Sequence, residues 1–470
     1  MHKGEVKMKL FNTLTKKVEE FIPIEKDVVK MYTCGPTVYH YQHLGNMRTY
    51  ITEDIFEKVF KYLGYKVERV MNITDVGHLK SDADEGEDKM VIAMEREKKT
   101  SKEIADFYTE EFKKDCELAN VRWPDMVVPA TSMIDEYIKI IEELLEKDIA
   151  YEASGNIYFD TSKYDKYYEL SGKKEEDLII AARDDVSEDK NKKNPADFVL
   201  WFTNSKFGNQ ELQWDSPFGR GFPGWHIECS GIAIKYLGEY LDIHFGAEDA
   251  VFPHHTNEIA QSESYLGHKW CNYWVHLSWL LTGSVKMSKS KGHILTVAAL
   301  KDQGYNPLSF RYLVLNSYYH KQVSFTYELL EQSEKAYLKL LNKISNIKEE
   351  GNLDNELFNK YDDKFKEYIS NDLNTSNALT LLYELLKDDG VNSKTKLELI
   401  KSWDKVFSLD LLKEEVKDEE LEKFVLEKIE QRKLAKQNKD FVLADSIRNE
   451  LLEKGIELKD TREGTIWNKL

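Results

Sequence analysis

Three groups of residues have the types and spacing for chemistry. The first is His43-Leu44-Gly45-Asn46, placed where a strand-like run passes into a helical one. A helix N-terminus attracts phosphate through its free backbone N–H groups and its dipole, and Gly45 lets a ligand come close to the backbone. The imidazole of His43 and the amide of Asn46 can both donate to phosphoryl oxygens. Taken alone, the same residues also read as a turn histidine followed by an asparagine helix cap. The second group is Lys286-Met287-Ser288-Lys289-Ser290, followed by Lys291-Gly292. Two lysines with hydroxyls between them suit a triphosphate that loses pyrophosphate. A basic surface loop is the bland alternative, and the order of residue types favours the phosphate reading.

The third group is assembled from distant segments. Pro253-His254-His255-Thr256-Asn257-Glu258 opens a helix with proline in its first turn. His254 and Glu258 stand four apart, share one helix face and can grip one ion. Cys34, at the end of a strand-like run, and Cys229, within Trp225-His226-Ile227-Glu228-Cys229-Ser230, can add two thiolates. Two sulfurs, a nitrogen and an oxygen make a tetrahedral zinc shell. His255 and His226 compete for the same role. Lone cysteines are usually small buried hydrophobes, which is the reading given to Cys116 and Cys271.

The elements that must position these groups are legible in outline. Residues 27–39 read as a strand that turns at Gly35-Pro36. Tyr50, Ile51, Ile55, Phe56, Val59, Phe60 and Leu63 then recur at helical spacing up to Gly64, and residues 65–73 read as a second strand. Strand, helix, strand is a βαβ unit and implies a parallel sheet. Between Cys116 and Gly221 a helical stretch (134–147), a hairpin (151–159) and a charged run (173–193) read as an insertion. Residues 224–296 resume the α/β pattern. Four helical stretches follow, at 327–347, 361–386, 394–409 and 421–439, which is the texture of a bundle.

Bulk properties narrow the class. A chain of 470 residues calls for two to four domains, and 41% hydrophobic with 12% aromatic residues excludes wholesale disorder. No apolar run reaches the roughly 18–20 residues of a membrane span, and the opening Met-His-Lys-Gly-Glu-Val-Lys has no secretory pattern. Four cysteines are too few for a disulfide scaffold, so a reducing cytosol is expected. A net charge of -18 argues against coating nucleic acid, so any RNA contact must be local. Arg432, Lys433, Lys436 and Lys439 make one such basic stretch, although an ordinary solvated helix face has the same look. Trp467 either stacks on a base or closes a small core.

Together these segments resemble a class I cysteinyl-tRNA synthetase. The resemblance runs from Leu10-Phe11-Asn12-Thr13-Leu14-Thr15 through Met31-Tyr32-Thr33-Cys34-Gly35-Pro36-Thr37-Val38-Tyr39 and Asn194-Pro195-Ala196-Asp197-Phe198-Val199-Leu200-Trp201. It continues through Pro223-Gly224-Trp225-His226-Ile227-Glu228-Cys229-Ser230 to Ala444-Asp445-Ser446-Ile447-Arg448 and Gly464-Thr465-Ile466-Trp467. It implies an α/β fold: a Rossmann-like parallel-sheet catalytic domain with an insertion, then an all-α helical bundle and a small C-terminal subdomain. The implied parts are 1–115 and 221–300 as halves of the catalytic domain, 116–220 as the insertion and 301–326 as a stem-contact connection. Residues 327–415 would be the anticodon-binding bundle and 416–470 the small subdomain.

The implied activity is ATP-dependent conversion of L-cysteine to cysteinyl-adenylate and its transfer to the 3′-terminal adenosine of tRNA(Cys), by a cytoplasmic monomer. The implied zinc ligands are Cys34, Cys229, His254 and Glu258, with one Zn²⁺ per chain; Mg²⁺ accompanies ATP. ATP would be held by Pro36, His43, Gly45 and Asn46 and by Lys286, Met287, Ser288, Lys289 and Ser290. Within these motifs His43, Asn46, Lys286 and Lys289 would stabilise charge in the reaction. The cysteine pocket would fall on Gly35, Thr74 and Trp225. Zinc would select cysteine over serine because it prefers a soft thiolate.

Three departures from the family pattern stand out. Asn46 replaces a second histidine, His40 replaces an acidic residue, and Asn72-Ile73-Thr74-Asp75-Val76-Gly77-His78-Leu79 lacks the usual carboxylate pair. Two other readings share the motifs: a ligase that passes cysteine to an amino sugar, and a catalytically silent zinc- or RNA-binding module.

Overall fold

Five short apolar runs form the central sheet of the computed structural model: β1 (Val28–Thr33), β2 (Lys66–Ile73), β3 (Met126–Pro129), β4 (Leu241–Ala247) and β5 (Cys271–Leu277). The structure describes residues 6–76, 79–81, 85–172, 191–203, 212–281, 294–413, 419–461 and 464–469. Every neighbouring pair is parallel, in the order β5-β4-β1-β2-β3. Parallel sheets carry helices on both faces, so their central strands are apolar almost throughout. β4 fits this: Leu241 to Gly246 are all buried. Strand order reverses between β1 and β4, and ligands of such sheets bind beyond the carboxyl ends of the strands at that crevice.

Three helices bring residues to that crevice. α1 (Leu44–Tyr62) leads from β1 to β2, α2 (Trp225–Leu237) precedes β4, and α3 (His254–Leu266) joins β4 to β5. The chain leaves α1 through Gly64 at φ +99, a conformation that strains any residue with a Cβ. α1 begins two residues before Asn46. Its cap is His43, whose Nδ1 accepts from the Asn46 backbone N–H at 3.2 Å, so the bland reading of asparagine as the cap is corrected. Pro253 likewise stands at the cap of α3, just ahead of its first turn.

The hairpin expected near 151–159 is Ala150–Ala153 paired with Asn156–Phe159. Phe198–Phe202 and Phe222–Pro223 extend it into a four-stranded antiparallel sheet. Cys116 sits earlier, buried in a helix (Ser101–Leu118) that packs on the core beside α1, and β3 belongs to the central sheet. The inserted sheet therefore starts after β3. Most of the charged run, 173–190, lies outside the described residues.

The stretch 361–386 is two helices, Asn355–Ser370 and Thr375–Lys387, where periodicity suggested one. Asp372 and Leu373 take φ values of 53 and 55 at the break, although no glycine or proline marks it. Asp372 is held there by the Tyr318 and Tyr319 hydroxyls and by the Phe11 N–H at 2.8 Å. With Tyr327–Ser345 and Ser393–Phe407 these helices enclose Phe365, which stacks on Trp403 at 4.9 Å. Arg311 ties them to the catalytic layer, donating to the Phe407 carbonyl at 2.6 Å and to Asp54 of α1 at 2.7 Å.

Residues 412–470 form a separate compact unit. Helices Glu419–Gln437 and Phe441–Glu453 and an antiparallel hairpin, Ile456–Thr461 with Gly464–Lys469, surround Val425, Ile447 and Leu451. Trp467 packs against this cluster opposite Leu458, so its part is to close a small core. Arg432 is buried, which takes one of the four cations off the expected basic face, while Lys433 stays exposed with Glu430 at 3.2 Å. None of the described helices is long and apolar enough to cross a membrane.

Candidate active site

At the end of β1 the chain is held against both neighbouring strands. The Cys34 N–H donates to the Phe245 carbonyl on β4 at 3.4 Å, and the Gly35 N–H donates to the Asn72 side chain on β2 at 2.7 Å. A Cβ at Gly35 would lie 1.7 Å from the Asn72 carbonyl oxygen, so no other residue fits. The Asn72 amide donates to the Thr74 hydroxyl at 3.1 Å, and that hydroxyl donates to Glu228 at 2.9 Å. Two of the candidate pocket residues, Gly35 and Thr74, thus share one hydrogen-bonded chain. The third, Trp225, opens α2 and stacks on the His254 ring at 4.0 Å.

Beside this pocket Cys34, His254 and Glu258 come together with His255, and Cys229 lies against His254. Cys229 Sγ lies 3.6 Å from His254 Nε2, and His254 Nε2 lies 2.9 Å from Glu258 Oε1. Cys34 Sγ is 3.3 Å from His255 Nε2, and the donor atoms of Cys34, His254, His255 and Glu258 all fall within 4.8 Å of one another. Ligand atoms around a tetrahedral zinc stand about 3.3–3.8 Å apart for bonds of about 2.0–2.3 Å. Glu258 Oε1 is buried, and His254 Nε2 at 2.9 Å is the polar atom it faces, so both point into one enclosed space. The donor set therefore fits zinc, and both His254 and His255 stand within reach of it.

Charge is already redistributed in the cluster. Cys34 shares its thiol proton with Cys229, whose pKa falls to about 6 while that of Cys34 rises. Burial pushes Glu258 up, but His244 and His254 outweigh it and hold the carboxyl near 2. Burial also opposes charge on His254, which Glu258 and Cys229 nonetheless raise to about 10. Each shift comes from burial and from the neighbouring side chains of the cluster itself.

Two histidines of this assembly escaped the sequence reading. His244 Nε2–H on β4 donates to Glu258 Oε2 at 2.9 Å, and His276 on β5 meets His255 Nδ1 at 2.7 Å. Their signal was a histidine at an inward position of an otherwise apolar strand. Gly246 makes the space: a Cβ there would lie 2.4 Å from the His255 ring. His226 meets His254 Nδ1 at 3.0 Å, which orients that ring and leaves Nε2 facing the cysteine and glutamate.

The phosphate-type group lies at the neighbouring helix start. His43 is exposed, and capping α1 uses its Nδ1, so the ring presents Nε2–H outward. Partial burial lowers its pKa, which keeps it neutral at pH 7 and makes it a donor without charge. Pro36 follows the Gly35 turn, and Gly45 and Asn46 are partly exposed in the first turn of α1. Lys286, Met287, Ser288, Lys289 and Ser290 lie outside the described residues, but the strand end before them is firmly tied. Arg48 of α1 donates to the carbonyls of Ser278, Trp279, Tyr318 and Lys321 at 2.6, 3.0, 3.2 and 2.8 Å. Sequence reasoning missed Arg48, since nothing local marks a buried arginine that binds distant carbonyls.

A profile described as tRNA synthetases class I (C) catalytic domain matches residues 20–335. The cysteine--tRNA ligase of Treponema denticola is 43% identical over 98% of this chain and 100% of its own length. The chain belongs to the cysteine--tRNA ligase family. A second cysteine--tRNA ligase, from Borreliella burgdorferi, is 43% identical over 97% of this chain and 98% of that protein. Among solved structures, methionyl-tRNA synthetase of Mycobacterium tuberculosis in complex with methionyl-adenylate has the same fold, with a TM-score of 0.57. That match covers 82% of this chain and 92% of that one at 13% identity, which marks the architecture as that of a class I synthetase. The protein is an enzyme of that class.

Proposed function

We propose that this enzyme activates L-cysteine with Mg-ATP and transfers it from cysteinyl-adenylate to the terminal adenosine of tRNA(Cys). The observation that carries the reading is the cluster of Cys34, His254, His255 and Glu258, with Cys229 3.6 Å from His254, near Thr74 and Trp225. Cys34, Cys229, His254 and Glu258 would hold zinc, with His255 Nε2, 3.3 Å from Cys34 Sγ, as the rival nitrogen. When bound, zinc supplies a soft Lewis acid that prefers thiolate to hydroxyl, which separates cysteine from serine where shape alone gives only about 10²-fold.

In the first step the substrate carboxylate attacks the α-phosphate and pyrophosphate leaves. His43 donates from Nε2–H and Asn46 from its amide to the phosphates, while the α1 N-terminus adds its dipole. Asn46 carries no proton to exchange, so its part is positional. Lys286 and Lys289 would neutralise the other side, and Arg48 fixes the chain at Ser278 and Trp279, which precede them in sequence. In the second step a ribose hydroxyl of the tRNA attacks the adenylate. No protein nucleophile is required.

Residues 1–115 and 221–300 would serve activation, 116–220 the insertion and 301–326 contact with the tRNA stem. Residues 327–415 and 416–470 would serve anticodon recognition, in a cytoplasmic monomer. An amino-sugar acceptor is not favoured, because the similarity to cysteine--tRNA ligases covers the helical C-terminal part as well as the catalytic half. A silent module would hold zinc in the same residues and is separated from the enzyme by pyrophosphate exchange.

The test is cysteine-dependent ATP–pyrophosphate exchange, with serine in parallel and zinc assayed on the same sample. Exchange with cysteine alone, lost when zinc is removed, is expected. A folded, zinc-loaded sample without exchange would overturn the reading.

A further inference from the structure

Glu228 has a position that the metal cluster does not explain. It lies in the first turn of α2, fully buried, next to Cys229 in sequence and bonded through Oε2 to the Thr74 hydroxyl at 2.9 Å. Its other oxygen, Oε1, has no hydrogen-bond partner among the described residues. No lysine or arginine nitrogen pairs with it among those residues. The groups that act on it most include Asp75, Cys229, Tyr137 and His254, which is already engaged by Glu258 and Cys229. A carboxylate buried without a counter-ion is costly, and an arriving cation would offset that cost.

We propose that Glu228 Oε1 binds the α-ammonium group of the amino-acid substrate, while Thr74 fixes the orientation of the carboxylate through Oε2. This inference rests on the reading that the enzyme binds cysteine. In cysteine only two carbon atoms separate sulfur from nitrogen, so a site for the ammonium must lie beside the site for the thiol. Glu228 meets that condition: its neighbour in sequence is the candidate ligand Cys229, and its hydrogen-bond partner is the pocket residue Thr74. An ammonium also brings three N–H donors to an environment that offers Oε1 none.

The experiment compares L-cysteine with 3-mercaptopropionate, which keeps the thiol and carboxylate and lacks the amine. Affinities are measured by calorimetry on the zinc-loaded full-length protein and on its Glu228→Gln and Glu228→Asp variants. The unaltered protein is expected to bind cysteine far more tightly than 3-mercaptopropionate. In Glu228→Gln the cysteine affinity falls about 100-fold, a magnitude typical of leaving a buried charge unpaired, while the 3-mercaptopropionate affinity stays within about 3-fold. Glu228→Asp retains part of the preference for the amine.

Equal losses for both ligands, or no loss for cysteine, would overturn the proposal. So would an unaltered protein that binds the two ligands alike, a result that needs no folded variant. Zinc content and melting temperature of each variant separate misfolding from lost recognition. If pyrophosphate exchange fails while calorimetry still detects cysteine, the activation reading falls and the Glu228 comparison stands on its own. If calorimetry detects no cysteine, both fall.

Discussion

Two helices begin at the same edge of the sheet and present opposite environments. α1 starts with an exposed His43 and partly exposed Gly45 and Asn46; α3 starts with His254, His255, Thr256, Asn257 and Glu258, all buried. The open start offers backbone N–H groups and a neutral imidazole donor, which suit a solvated, mobile triphosphate. The closed start offers side chains whose lone pairs converge and whose rings are oriented by His226 and His276, which suits an ion held without water. Position on the sheet is thus not what separates phosphate chemistry from metal chemistry here. Burial is, because it decides whether backbone or side chains face the ligand.

The largest effect should come from breaking the closed start. Cys229→Ser replaces a soft ligand with a hydroxyl; zinc content should fall below half an equivalent by metal analysis, and cysteine-dependent exchange by about 10³-fold or more. His43→Asn tests the open start, since asparagine is a good helix cap and only the ring donor is lost. The activation rate should fall by about 10²-fold, with zinc content and melting temperature unchanged. Lys289→Ala should likewise lower the rate of activation far more than cysteine affinity, and equal loss of both would remove Lys289 from this role.

Gly246→Ala sharpens the comparison from the packing side. The added methyl would crowd the His255 ring at 2.4 Å, which should lower stability by about 1–3 kcal/mol in denaturant titration while the α1 start keeps its affinity for ATP. The smallest effect concerns a half-buried histidine outside the cluster. Burial lowers the pKa of His320 to about 4, against the ordinary 6.5, and its Nε2 makes no hydrogen bond. The unfolded chain therefore takes up the proton first, so stability is intact above pH 6.5 and declines as pH falls toward 4. His320→Phe should remove about 2 kcal/mol of that decline, seen as a flatter dependence of melting temperature on pH.

Much of this site was legible in the chain because its local parts are local chemistry. The i, i+4 spacing of His254 and Glu258 already implied a shared ligand, and the strand-to-helix passage at His43 already implied an open helix start. Boundaries were less legible where the cause was remote. The break at Asp372 and Leu373 depends on two tyrosines and a strand N–H over 50 residues or more away, so the helical period ran through it unmarked. Arg432 looked like part of a basic face because charge was visible and burial was not.

By itself the sequence determined the βαβ start of the sheet, the two phosphate-type motifs, the helical C-terminal texture and the residue types of a zinc site. Those follow from periodicity, turn chemistry and donor identity, all of which act over a few residues. Only the tertiary structure decided that Cys34 and Cys229 meet, that His244 and His276 join the cluster, and that Glu228 is left with an oxygen to spare. Parallel pairing of β5-β4-β1-β2-β3 brings together residues about 200 positions apart through backbone hydrogen bonds that carry no side-chain signature. The physical reason is the same in each case: what a side chain can do is written in its type, and whether it does so depends on which water the fold removes.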